Sequence, residues 1–140
     1  MPIQISHIDH LALTVKDIEV SCQFYTEVLG MKVVNFADNR KALVFGNQKI
    51  NLHELGKEHE PKAKNPTSGA IDLCFISDTP LKVILSELER LNILVEVGPI
   101  IKTGATNPIN SVYIRDPDNN LIEISNILCP DLQLELRPEH

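Results

Sequence analysis

The sequence predicts an α+β chain made of two tandem βαβββ modules, and three observations carry that reading. A dense run of turn formers, Asp116-Pro117-Asp118-Asn119-Asn120, joins two β-rich apolar stretches into a hairpin. A charged, proline-bearing segment at 56–68 has no apolar period and reads as a linker. The order of elements before that linker then recurs after it, as expected of a duplicated supersecondary unit.

In the first half, Ile8–Val15 alternates, with Leu11, Leu13 and Val15 on one face and His10, Ala12 and Thr14 on the other. Asp17 is placed to cap a helix through Leu29, on which Ile18, Cys22, Tyr25, Val28 and Leu29 fall at helical spacing, with Gly30 past its end. Met31–Phe36 and Ala42–Phe45 read as strands, Gly46-Asn47-Gln48 as a turn, and Lys49–Glu54 as the strand that follows.

In the second half, Ala70–Ser77 is a strand. Thr79 is expected to cap a helix with Pro80 at its first position and an apolar stripe of Leu81, Ile84, Leu85, Leu88 and Leu91. Ile93–Val97 reads as the next strand, 101–109 as a longer loop, and Ser111–Ile114 with Leu121–Ile124 as the closing hairpin. A shift of 62 lays His10–Leu13 on Asp72–Phe75, and a shift of 70 lays Ala42–His53 on Val112–Glu123. The expected organisation is one domain over 1–140: module one at about 5–55, linker at 56–69, module two at 70–127, tail at 128–140. Leu132, Leu134 and Leu136 alternate in that tail, which reads as an added edge strand, a dimer contact or a loose end.

Composition limits the function classes. With 140 residues, 43% of them apolar, the chain can bury an adequate core, about 68–70% of its unfolded surface. A net charge of −6 argues against nucleic acid or an anionic membrane as the main partner. No apolar run reaches membrane-spanning length, and the N-terminus lacks a basic-then-apolar leader. Cys22, Cys74 and Cys129 form no CxxC pair, so neither a disulfide framework nor a zinc knuckle is expected, and a reducing cytoplasm is the expected location.

Glu123 stands in the middle of an apolar strand, where an ionised carboxylate is costly unless something positive meets it. Arg115 and Lys49 are candidate partners, and a metal ion is another. The string Arg115-Asp116-Pro117-Asp118-Asn119-Asn120-Leu121-Ile122-Glu123-Ile124-Ser125-Asn126 resembles the closing hairpin of the vicinal oxygen chelate superfamily, which includes glyoxalase I, fosfomycin-resistance proteins and extradiol dioxygenases. The resemblance extends over roughly Ile5 to Asn126. It implies that the two modules form a half-open barrel around a central metal site. The first and last strands of each module supply the ligands there, usually His or Gln, then Glu, His and Glu. The corresponding residues in this chain are His10, His53, Asp72 and Glu123, so the second and third places depart from the pattern.

Imidazole and carboxylate together suit one divalent ion: zinc, nickel, manganese or iron. The resemblance implies a metal acting as Lewis acid on a small substrate with vicinal oxygens, stabilising an enolate or enediolate. Glu123 doubles as general base, a role worth about 10²–10⁴-fold in rate. The leading expectation is a glyoxalase I-like lyase or isomerase, working as a homodimer because open sheets leave exposed edges. The alternatives are extradiol ring cleavage, fosfomycin-type thiol transfer, and a non-catalytic protein that binds an antibiotic or aromatic ligand. Blander roles exist for each residue: His10 as a satisfied interior histidine, His53 on a half-solvated face, Asp72 bonding local amides, Cys74 as a small apolar filler. His7 and His59 read as peripheral, and Thr103-Gly104-Ala105-Thr106 is a weak candidate for an anion contact.

Overall fold

The computed structural model describes residues 1–129 of the chain, and the Leu132–Leu136 alternation lies outside them. The chain divides after Gly69 into two compact units.

The first unit contains β1 (His10–Val15), α1 (Ile18–Glu27), β2 (Lys32–Phe36), β3 (Arg40–Phe45) and β4 (Gln48–Glu54). Its sheet runs β1-β4-β3-β2, with β1 parallel to β4 and the other pairs antiparallel. The alternation read from the sequence sets the faces. Leu13, Val15, Leu43, Ile50 and Leu52 are buried on one side, while Ala12, Thr14, Arg40, Asn51 and His53 share the other. Asp17 caps α1 as expected, its Oδ1 accepting from Val20 N at 3.2 Å.

The second unit repeats the topology with β5 (Asp72–Ile76), α2 (Leu81–Arg90), β6 (Val97–Thr103), β7 (Pro108–Arg115) and β8 (Leu121–Ile127). Its sheet runs β5-β8-β7-β6, with β5 parallel to β8. The expected α+β architecture of two βαβββ modules is therefore present. Leu81, Ile84 and Leu88 form the buried stripe of α2, and Val112, Ile114, Ile122 and Ile124 the buried face of the central strands.

Three details differ from the sequence reading. Pro80, not Thr79, occupies the N-cap of α2 and makes no side-chain cap. The cap comes from β8 instead: Asn126 Oδ1 accepts from Leu81 N at 2.7 Å, while its Nδ2 donates to the carbonyls of Ser77 and Thr79 at 2.9 and 2.8 Å. The third strand of the module is Val97–Thr103 rather than Ile93–Val97, so most of the expected loop is paired backbone. Gly98 and Pro99 disguised it, because they break the apolar run at a register shift between Val97 and Ile100. Gly98 is required there. Its φ is +110°, and a Cβ would run into the Ser111 carbonyl and lie 2.9 Å from Val112 Cα.

The third correction concerns the repeat itself. Ala12 pairs with Asn51 in the first sheet as Cys74 pairs with Glu123 in the second. The last strands therefore correspond at a shift of 72, not 70, matching Asn51 with Glu123 and His53 with Ser125. A slip of two leaves every side chain on its own face, so the apolar pattern cannot detect it.

Candidate active site

In the second unit, the Asp116–Asn120 turn positions the site. Buried Asp116 accepts the backbone N–H of Asp118 and of Asn120 on Oδ1, both at 2.9 Å, and Asn120 Nδ2 on Oδ2 at 2.8 Å. Asn119 supplies the left-handed residue of the turn (φ +67°). Asn120 Oδ1 then accepts Ile71 N at 2.9 Å, fastening the start of β5 beside β8.

The hairpin register brings four polar side chains onto one face. Ser111 lies opposite Ser125 and Tyr113 opposite Glu123, with Cys74 beside Glu123 on β5. The Ser111 hydroxyl donates to Glu123 Oε2 at 2.6 Å and lies 2.6 Å from the Ser125 hydroxyl, which is in turn 3.4 Å from Cys74 Sγ. Cys74, Tyr113 and Glu123 line a cavity of about 610 Å³ together with the Lys102–Asn107 stretch. Burial, then the charge of Glu123, pushes the Tyr113 phenol up to about 12. Burial also raises the Cys74 thiol, which therefore stays protonated near neutrality and is a poor nucleophile. Cys74 is exposed at the cavity wall rather than a core filler. Arg115 does not serve Glu123; it pairs with Glu96 at 3.0 Å. Asp72 stands exposed at the start of β5, opposite Leu121 and on the face of Cys74.

In the first unit His53 is buried and its imidazole is held below its usual pKa, first by burial and then by the charges of Arg40 and His59. Far from being peripheral, His59 approaches it edge-on, with ring centroids 5.9 Å apart. His10 is exposed, with Nδ1 2.8 Å from Asp9 Oδ2. His10 lies opposite Lys49 and His53 opposite Thr14, a separation of four residues, or about 13 Å along the strands. Both histidines line a second cavity, of about 550 Å³, with Arg40 and Asn51.

In donor type, these imidazoles and carboxylates fit a borderline divalent ion. Each unit contributes two of them, and among the described residues no three His, Cys, Asp or Glu side chains are grouped as a metal cage. The sequence reading missed Ser111, Tyr113, Ser125, Asn51 and Arg40. The first three were recoverable: once the turn fixes the hairpin, period-2 alternation puts them on the face of Glu123.

Two βαβββ modules, with a hydroxyl-bonded carboxylate on the central strand of the second, define a glyoxalase-type protein. The chain belongs to the Glyoxalase/Bleomycin resistance protein/Dioxygenase superfamily, whose family model matches residues 7–124. It is 57% identical over 121 residues to virulence protein STM3117 of Salmonella typhimurium, covering 86% of this chain and 84% of that one. The crystal structure of STM3117 superposes with a TM-score of 0.89 at 55% identity, over 90% of this chain and 100% of that chain. Glyoxalase domain-containing protein RDO1 of Mycosarcoma maydis is 49% identical, over 89% of this chain and 70% of its own length. The crystal structure of lactoylglutathione lyase from Agrobacterium tumefaciens gives a TM-score of 0.68 at 25% identity, over 88% and 95% of the two chains. Among the described residues no helix is long and apolar enough to cross a membrane.

Proposed function

We propose that the chain is a glyoxalase I-like lyase or isomerase acting on a small substrate with vicinal oxygens. The observation that carries this is Glu123, whose carboxylate lines an open cavity while Ser111 holds one of its oxygens at 2.6 Å. A carboxylate fixed in this way is placed to take a proton from a carbon and return it to the neighbouring one. Tyr113 keeps its own proton at neutral pH and remains a hydrogen-bond donor beside it. Ser111 and Ser125 supply neutral hydroxyls that steady the carboxylate without cancelling its charge. Of the donors expected from the sequence, His10, His53, Asp72 and Glu123, one imidazole with the carboxylates would hold a divalent ion, zinc, nickel, manganese or iron, because His10 and His53 lie about 13 Å apart along the strands. When bound, it supplies Lewis acidity that stabilises negative charge on the vicinal oxygens. A cytoplasmic homodimer belongs to the same reading.

Protein purified without chelator is expected to carry about one divalent ion per chain, reduced in His10→Ala, and to isomerise a hemithioacetal. Glu123→Gln is expected to lower that rate by about 10²–10⁴-fold. Catechol cleavage under air without isomerisation would move the assignment to ring cleavage. Neither activity, with no metal retained after incubation with several divalent ions, would end the enzymatic reading.

A further inference from the structure

Thr103-Gly104-Ala105-Thr106 lines the cavity of Glu123, and the residue before it is charged. Lys102 pairs with Ile109 on β7, which pairs with Ile127 on β8, so Lys102 shares the face of Ser111, Tyr113 and Glu123. It is half-buried, and among the described residues lining the cavity it is the only cation and Glu123 the only carboxylate. Glu123 precedes Ile127 by four residues, and two strand spacings separate β8 from β6. The two charged residues therefore stand about 13 Å apart along the strands and about 10 Å apart across them. Ile109 and Ile127 flank Lys102, and Ile76 stands level with Ser125. Ser111 and Ser125 are fully buried, so the accessible wall between the two charges is largely apolar.

Lys41, Lys57 and Lys62 each meet a glutamate, at 3.5, 3.1 and 3.7 Å. Among the described residues no carboxylate meets Lys102. A half-buried ammonium left unanswered favours an anion brought from outside. A donor stands in the turn beside it. Gly104 N donates to the Asn107 carbonyl at 2.9 Å and closes that turn, while Asn107 Nδ2 donates to the Thr106 hydroxyl at 3.1 Å. The hydroxyl proton of Thr106 is thereby left to donate onward. One ammonium and one hydroxyl suit a singly charged carboxylate, whereas a doubly charged phosphate would keep half its charge unmatched.

We propose that Lys102 anchors the substrate, a small hydroxyketone whose chain ends in a carboxylate: the carboxylate on Lys102, the vicinal oxygens at Glu123, and an apolar spacer between them. The proposal rests on the reading of Glu123 as the proton-transfer base and names what the substrate carries at its far end. Lys102 sets specificity and takes no part in the proton transfer itself.

δ-Hydroxylevulinate carries a ketone and a hydroxyl on adjacent carbons and a carboxylate beyond a short methylene spacer, and its methyl ester lacks only the charge. Each is titrated calorimetrically into the full chain carrying Glu123→Gln, in which proton transfer is disabled. The acid is expected to bind about 10- to 100-fold more tightly than the ester. Adding Lys102→Met is expected to abolish that difference and leave ester binding unchanged, whereas Lys102→Arg keeps it. Hydroxypyruvate, too short to reach both ends, is expected to bind equally with and without Lys102→Met. Equal affinities for acid and ester, a preference that survives Lys102→Met, or hydroxypyruvate losing as much affinity as the longer acid each overturn the proposal. Isomerisation of a hemithioacetal by the unsubstituted chain decides the reading of Glu123 separately. Its presence without a charge preference strikes only the anchor, and its absence with a Lys102-dependent preference strikes only the proton transfer.

Discussion

Ser111 holds Glu123 diagonally across the β7–β8 hairpin, its hydroxyl donating to Oε2 at 2.6 Å. Ser111 is itself fully buried and 2.6 Å from the Ser125 hydroxyl, so the three groups form one short chain of hydrogen bonds. Such a chain orients the carboxylate toward the cavity. Ser111→Ala is expected to lower stability by about 1 kcal/mol, since the half-buried Glu123 carboxylate loses its donor. Urea denaturation with an unchanged m-value checks this.

Tyr113 gives a signature on the alkaline side. Its phenol is pushed up to about 12 in the folded chain, against about 10 unfolded. Between those values the unfolded state loses a proton that the native state keeps. Stability is therefore full below pH 10 and falls as the pH climbs toward 12. Tyr113→Phe is expected to remove that decline, as read by denaturation midpoints.

His53 gives the opposite window. Its folded pKa lies below the ordinary 6.5, so as the pH drops under that value the unfolded state binds a proton the native state refuses. Stability conferred by neutral His53 is present above 6.5 and lost on acidification. His53→Gln should flatten the acid limb between pH 7 and 5, and histidine ring NMR should show His53 titrating below its free value.

Asp116 is the most heavily used side chain of the turn, accepting three hydrogen bonds at 2.8–2.9 Å in a buried place. Asp116→Ala is expected to cost about 2–4 kcal/mol through the donors it strands. Asp116→Asn, which keeps an acceptor, should cost less. Thermal unfolding of the two variants side by side distinguishes this role from a general effect of charge.

The two-module plan was legible because it rests on signals that a sequence displays locally. The Leu13/Val15 alternation, the Asp17 cap and the Asp-Pro-Asp-Asn-Asn turn each act within a few residues. What lay hidden depends on registers between distant strands. Asn51 stands where His53 was expected because sliding β4 by two positions changes no inward or outward assignment. Asn126 caps a helix that begins 45 residues earlier, which no local pattern announces. β6 was missed because its Gly98-Pro99 step belongs to an edge strand that bends, and the close approach of Ser111 that demands the glycine is visible only in three dimensions.

Asn120 and Asn126 bracket the most family-like string in the chain, and both are occupied in architecture. One secures the neighbouring strand through Ile71 and the other the helix through Leu81. Asp116 likewise spends its carboxylate on the bend. Within that string only Glu123 turns toward open space with chemistry to offer. A probe built on these letters would therefore gather proteins by how they are folded over rather than by what they transform. Substrates diverge where such a probe is silent, at the wall residues on either side of it.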